Sequence, residues 1–150
     1  MERRNAWLSY NEADEKALEK LAKDYRTFLD NGKTERECVS ELSREAEAAG
    51  YVSLDKKLAS GEKIQTGDKI YAVGMKKIMA LFHIGEDPME KGMNILGAHI
   101  DSPRLDVKQN PLYEDTDLTY LDTHYYGGVK KYHWVALPLA IHGVIVKKDG

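Results

Sequence analysis

At Tyr51 the hydrophobic period of this chain changes from that of a helix to that of a strand, and this change limits the fold more than any other feature. Before it, Ala17, Leu18, Leu21, Ala22, Tyr25, Phe28 and Leu29 form one helical stripe. Cys38, Val39, Leu42, Ala46 and Ala49 form a second. Ser9 with Glu12, and Thr34 with Glu37, have the spacing of capping boxes, in which each side chain satisfies a free backbone N–H of the first turn. Asn31-Gly32 stops the first helix, and Gly50 supplies the left-handed residue that follows the second. The expected result is a helical hairpin with one apolar face per helix.

After Tyr51, the polar stretch from Lys56 to Asp68 reads as a loop. Lys69 to Val73 and Ile78 to Ile84 read as strands joined by a turn around Gly74. Beyond the turn at Gly85-Glu86-Asp87-Pro88, Met93 to Ile100 is almost uninterrupted apolar sequence, the pattern of a strand covered on both faces inside an α/β sheet. Pro103 and Pro111 bracket a short extended piece, and Leu118 to Tyr126 and Trp134 to Val146 read as further strands separated by Gly127-Gly128. Lys147-Lys148-Asp149-Gly150 ends on a turn dipeptide, so the last strand is expected to lack a partner and the chain to stop within a domain.

With 150 residues, 42% of them hydrophobic and 31% charged, one core is the limit. The balance of 22 basic and 25 acidic residues, scattered lysine pairs included, argues against a nucleic-acid footprint. Cys38 is the sole cysteine, which excludes an internal disulfide framework and a cysteine-rich zinc module and suits a reducing, cytoplasmic setting. On the inner stripe of the second helix it reads as a small buried hydrophobe. The Met1–Trp7 segment has no apolar stretch after its arginines, and the longest apolar run is too short and interrupted to cross a bilayer, so neither leader nor membrane span is expected.

The most informative local feature is His99-Ile100-Asp101 at the carboxyl end of the apolar run. Ligands of open α/β sheets gather beyond that end, and strand geometry turns His99 and Asp101 to one side with Ile100 turned away. A neutral imidazole binds zinc through one nitrogen while donating from the other to a carboxylate, which fixes the tautomer. On the bare motif a structural His–Asp pair is the commoner outcome and a metal ligand with its supporting acid the sharper one. Ser102 has no Gly-x-Ser-x-Gly elbow and reads as a turn residue before Pro103. Arg104 reads as the ion-pair partner of Asp101 or Asp106, and the Gly127-Gly128-Val129-Lys130-Lys131 run lacks the spacing of a phosphate loop.

The stretch Gly97-Ala98-His99-Ile100-Asp101-Ser102-Pro103-Arg104-Leu105-Asp106, with Asn110-Pro111-Leu112-Tyr113 and His124-Tyr125-Tyr126-Gly127-Gly128 after it, closely resembles the M18 metalloaminopeptidases. These are the aspartyl-aminopeptidase and aminopeptidase I group, and the likeness is to their clostridial-type branch. It continues through Lys130-Lys131-Tyr132-His133-Trp134 and Leu137 to Val144, and Thr34-Glu35-Arg36-Glu37-Cys38 looks like the same branch, so it covers nearly all of the chain.

The resemblance implies removal of N-terminal residues from peptides at two zinc ions, with His99 as a metal ligand and Asp101 as the catalytic-site acid that supports its ring. His and carboxylate ligands suit cobalt and manganese as well. The family's bridging Asp, general-base Glu and remaining ligands lie further along than this sequence reaches, so the 150 residues alone are expected to be inactive. The implied architecture is α/β: the N-terminal part of the catalytic domain over residues 1–110, then from 111 the start of a β-rich dimerisation insertion. Dimers of such enzymes build a tetrahedral dodecamer, and His124 or His133 is implied as a contact to substrate or to a neighbouring subunit. Two rivals stand beside this reading: a non-catalytic assembly module derived from such an enzyme, and a separate metal-binding domain using His99, Asp101 and Asp106.

Overall fold

The computed structural model describes residues 3–149, which fold as two compact units, one ending at Ile95 and one beginning at Leu96. The architecture is mixed α/β. In the first unit a 3-10 turn over Ala6–Ser9 leads into α1 (Glu12–Asn31), followed by α2 (Glu35–Ala48), β1 (Val52–Ser53), α3 (Leu54–Ser60), β2 (Lys69–Gly74) and β3 (Ile78–His83). The sheet order is β1-β2-β3, with β1 parallel and β3 antiparallel to β2.

Both helices of the expected hairpin form, with one start displaced. The cap of α1 is Asn11, whose Oδ1 accepts from the N–H groups of Ala13 (2.8 Å) and Asp14 (3.2 Å), while Asp14 accepts from the Asn11 N–H. Asn is as strong a cap as Ser, and the Ser9 hydroxyl instead donates to the Ala6 carbonyl at 2.6 Å within the preceding 3-10 turn. The Ser9–Glu12 box therefore does not form. The Thr34–Glu37 box does, with both reciprocal bonds made. Gly32 closes α1 so tightly that a Cβ there would stand 2.8 Å from the Cys38 sulfur.

The core of this unit is Cys38, Val39 and Ala46 of α2 with Ile70 and Tyr71 of β2. The Tyr71 hydroxyl reaches the edge of that core and donates to Glu47 at 2.8 Å, which holds the Glu47 carboxyl below the usual range. The polar stretch read as a loop begins inside α3, because Leu54-Asp55-Lys56-Lys57-Leu58-Ala59 consists largely of good helix formers and ends at left-handed Gly61. The β2–β3 hairpin matches the sequence reading closely, with Gly74 opposite Ile78.

Lys57 and Asp68 pair at 3.1 Å, their side chains 15% and 24% exposed. The Gln65 N–H and then Lys57 hold the Asp68 carboxyl below its ordinary range, and Asp68 in turn raises the Lys57 ammonium.

The second unit is a long ribbon of β4 (Arg104–Asp115) and β5 (Leu118–Tyr126), followed by the one-turn helix α4 (Lys131–Trp134). The extended piece expected between Pro103 and Pro111 thus runs on through Pro111. The ladder tolerates this because its register shifts between Val107 and Leu112, leaving proline, which has no N–H, outside the regular pairing. The turn Asp115-Thr116-Asp117-Leu118 has both central residues at positive φ, 51° and 59°. This is the type I′ geometry that follows strand twist, here without the usual Asn-Gly.

Two expected strands are absent. Met93 to Ile100 and Trp134 to Val146 form no ladder among the described residues, and Trp134 itself is helical. Apolar residues there are exposed: Leu96 fully, Ile145 at 93%. An apolar run becomes a buried strand only when neighbouring backbone and two covering layers are present, and the described residues supply neither. Lys148 and Asp149 do form a turn, while Gly150 and, at the other end, Met1 and Glu2 lie outside the described residues. Among the described residues no helix is long and apolar enough to cross a membrane.

Three outcomes test this fold. Ile70, 2% exposed, should cost about 2–4 kcal/mol on truncation to Ala, read as a lower urea midpoint. Replacing Thr116-Asp117 by Asn-Gly should stabilise the β4–β5 hairpin by about 1 kcal/mol, because Thr is strained at positive φ, and hairpin amide exchange will report it. The depressed folded pKa of Asp68 makes its contribution complete above the unfolded carboxylate pKa and lost as pH falls through the folded value. Lys57 is the mirror case, lost as pH rises through its raised folded pKa. Asp68→Asn should therefore make the fall in melting temperature below about pH 4 less steep, and an unchanged acid limb would refute the assignment.

Candidate metal centre

His99 and Asp101 lie in the segment entering β4, and the structure brings their side chains together. The His99 Nδ1 stands 2.9 Å from Asp101 Oδ1 and 3.1 Å from the Asp101 carbonyl oxygen. Both are acceptors, so Nδ1 is the nitrogen that carries the proton, and in the neutral imidazole Nε2 then keeps its lone pair. Nε2 makes no hydrogen bond among the described residues, and the imidazole is 84% exposed. This is the donor arrangement of a neutral histidine ready to ligate a soft-to-borderline divalent ion.

The second oxygen of Asp101 is also engaged. The Tyr126 hydroxyl donates to Oδ2 at 2.6 Å, and this bond, followed by that to His99, holds the Asp101 carboxyl below the usual carboxylate range. Tyr126 is delivered by β5, whose register sets it opposite Arg104. The Arg104 guanidinium lies over the Tyr126 ring, 4.2 Å from its centroid, and its Nε donates to Asp106 at 2.8 Å. Of the two ion pairs open to Arg104 on sequence, the one with Asp106 is therefore made. At the mouth of the ribbon Gly127 takes φ 75°, and a Cβ there would touch Pro103 at 3.4 Å, so the position that follows Tyr126 suits glycine.

His124 and His133 are placed differently. His124 pairs with Asp106 across the ribbon and shares the face that carries Tyr126, two residues on, but its ring stacks on Tyr125 with centroids 5.3 Å apart. His133 sits in α4 with its ring edge-on to Tyr132 at 4.1 Å. Neither makes a hydrogen bond or ion pair with His99 or Asp101 among the described residues. Tyr126 is the participant that sequence reasoning misses, because pattern marks it only as the last residue of an expected strand. Its place follows from register, which hydrophobic pattern alone does not supply.

Among the described residues no three His, Cys, Asp or Glu side chains converge as a metal site. The donor set fits zinc as one imidazole ligand with a fixed tautomer and does not complete a coordination sphere, which takes about three protein ligands at a catalytic ion.

Comparison with known proteins shows the family. The family model of the aminopeptidase I zinc metalloproteases (M18) matches residues 28–150. The chain is 58% identical over 149 residues, 99% of its length, to a probable M18 family aminopeptidase 1 of Clostridium acetobutylicum, and 43% identical over 150 residues, its full length, to one of Thermotoga maritima; it covers 32% of each. Among solved structures, the M18 aminopeptidase of Thermotoga maritima superposes with a TM-score of 0.86 at 42% identity, and aminopeptidase I of Clostridium acetobutylicum with 0.81 at 57%. All of this chain is covered in both, against 32% and 33% of those chains. The chain thus spans about a third of the length of the relatives it matches. It belongs to the M18 family of aminopeptidase I zinc metalloproteases.

Proposed function

We propose that this chain is the N-terminal portion of a zinc-dependent aminopeptidase that releases N-terminal residues from peptides, and that His99 is one of its metal ligands. The observation that carries this reading is the His99–Asp101 pair, with Nδ1 bound to the carboxylate and Nε2 open. Lewis-acid polarisation of a peptide carbonyl and a lowered water pKa are the chemistry that zinc, or cobalt or manganese in its place, supplies in such a site. The chain's own residues do the preparatory work. Asp101 keeps the Nδ1 proton on His99 and fixes the ring's orientation; its negative charge makes the free nitrogen a stronger donor.

The finer features rest on the family resemblance: two ions per complete site, and homo-oligomers built through the β-rich region that starts at residue 111, as dimers and then a dodecamer; a cytoplasmic setting rests on the single cysteine. His124 and His133, exposed and uncommitted to the His99–Asp101 pair, are the residues proposed to meet substrate or a neighbouring subunit. One imidazole and one supporting acid are too few for catalysis, so the 150 residues by themselves should bind zinc weakly and turn over little substrate.

Zinc titration of the 150-residue chain, followed by the imidazole resonances, tests the ligand. His99 should respond first and saturably, and His99→Ala should abolish that response. A His99 signal that zinc leaves unmoved would overturn the assignment. Rapid hydrolysis of an aminoacyl p-nitroanilide by the same chain would overturn the claim of an incomplete site.

A further inference from the structure

We infer that Tyr126 is a positioning residue for the metal ligand: its phenol, held in place by Arg104, orients the Asp101 carboxylate so that Oδ1 faces His99 and the imidazole is locked as the Nδ1–H tautomer. The inference rests on the reading of His99 as a ligand and extends it to a residue 25 positions beyond Asp101, on another strand.

A carboxylate with one committed oxygen is free to rotate about its Cβ–Cγ bond, and in water it exchanges oxygens and partners freely. Asp101 is two residues from His99 on an irregular segment, its side chain 35% exposed; its backbone carbonyl also accepts from Nδ1 at 3.1 Å, but that contact does not fix the carboxylate. The Tyr126 hydroxyl removes that freedom. At 2.6 Å it is a short O–H···O⁻ bond of the charge-assisted kind, and it occupies Oδ2 while the imidazole occupies Oδ1. With both oxygens engaged, the carboxyl plane is fixed at two points.

Tyr126 is itself fixed from several directions. Its backbone is registered against Arg104 in the β4–β5 ladder, its ring lies under the Arg104 guanidinium at 4.2 Å, and Arg104 is tethered by Asp106 at 2.8 Å. A cation over the ring face also draws electron density from the phenol, which makes its O–H a better donor. The order Asp106, Arg104, Tyr126, Asp101, His99 therefore runs from a regular β-ribbon to an exposed imidazole, and the ribbon lends the imidazole a rigidity its own segment lacks.

The test reads the tautomer directly. In the ¹⁵N-labelled 150-residue chain at a pH where His99 is neutral, its ring nitrogens should report an Nδ1–H imidazole. Tyr126→Phe keeps the ring under Arg104 and deletes only the hydroxyl. It should move the His99 nitrogens toward the mixture of a free imidazole and raise the zinc midpoint at His99 about three- to tenfold. Tyr125→Phe, whose hydroxyl bonds to nothing among the described residues, should leave both unchanged. Unaltered tautomer and midpoint in Tyr126→Phe, with β4 and β5 amide shifts intact, would overturn the inference.

Should that variant lose the ribbon, the Tyr126 Cζ carbon shift reads the same bond without touching the tyrosine. It should move on Asp101→Asn, and a shift that stays constant would overturn the inference equally. Zinc that fails to move His99 in the unmutated chain would sink the ligand assignment alone, leaving the tautomer result to judge Tyr126.

Discussion

The register of the β4–β5 ladder, which sets Arg104 opposite Tyr126, is the constraint on which the candidate site depends. Slipping an antiparallel pair by one residue turns every side chain to the other face, and Tyr126 would then point away from Asp101. The register shift between Val107 and Leu112 absorbs Pro111 without passing that slip on to the mouth of the ribbon, where Arg104, Asp106, His124 and Tyr126 share one face. The I′ turn at Thr116-Asp117 sets the pairing at the far end. Two short-range devices, a bulge and a turn, therefore deliver a tyrosine to an acid 25 residues earlier in the chain.

The two units illustrate different sources of order. In the first, a small apolar cluster around Ile70 joins helix to sheet, with ion pairs such as Lys57–Asp68 at its margin. In the second, cross-strand hydrogen bonding and side-chain pairs dominate, including the Tyr113–Tyr120 stack at 5.2 Å and Lys108–Asp122 at 2.9 Å. An imidazole on the second kind of scaffold depends on polar partners for its orientation, since no apolar packing grips a ring as exposed as that of His99. The carboxylate beside His99 has a second partner in the Tyr126 hydroxyl.

Much of this was legible in the sequence because it is local. Helical stripes, the Thr34–Glu37 box and the turn at Gly74 each depend on residues within a few positions of one another, as does the placement of His99 and Asp101 on one side of their segment. The errors have equally definite causes. Asn11 outcompetes Ser9 as a cap because the Ser9 hydroxyl finds a nearer carbonyl at Ala6. The apolar runs at 93–100 and 134–146 carry the composition of buried strands, yet burial is a property of neighbours, and pattern does not reveal whether they are present. Tyr126 escapes because cross-strand register is set by the bulge at 107–112, which no periodicity announces.

The close seat of the Cys38 sulfur beneath Gly32 has a practical corollary. The thiol is buried, and that burial pushes its pKa up, so an alkylating reagent finds little thiolate to attack while the two helices stay together. As the sole cysteine of the chain, it offers a single-site clock: the rate at which it is labelled measures how often the helical hairpin breathes open, without any engineered probe.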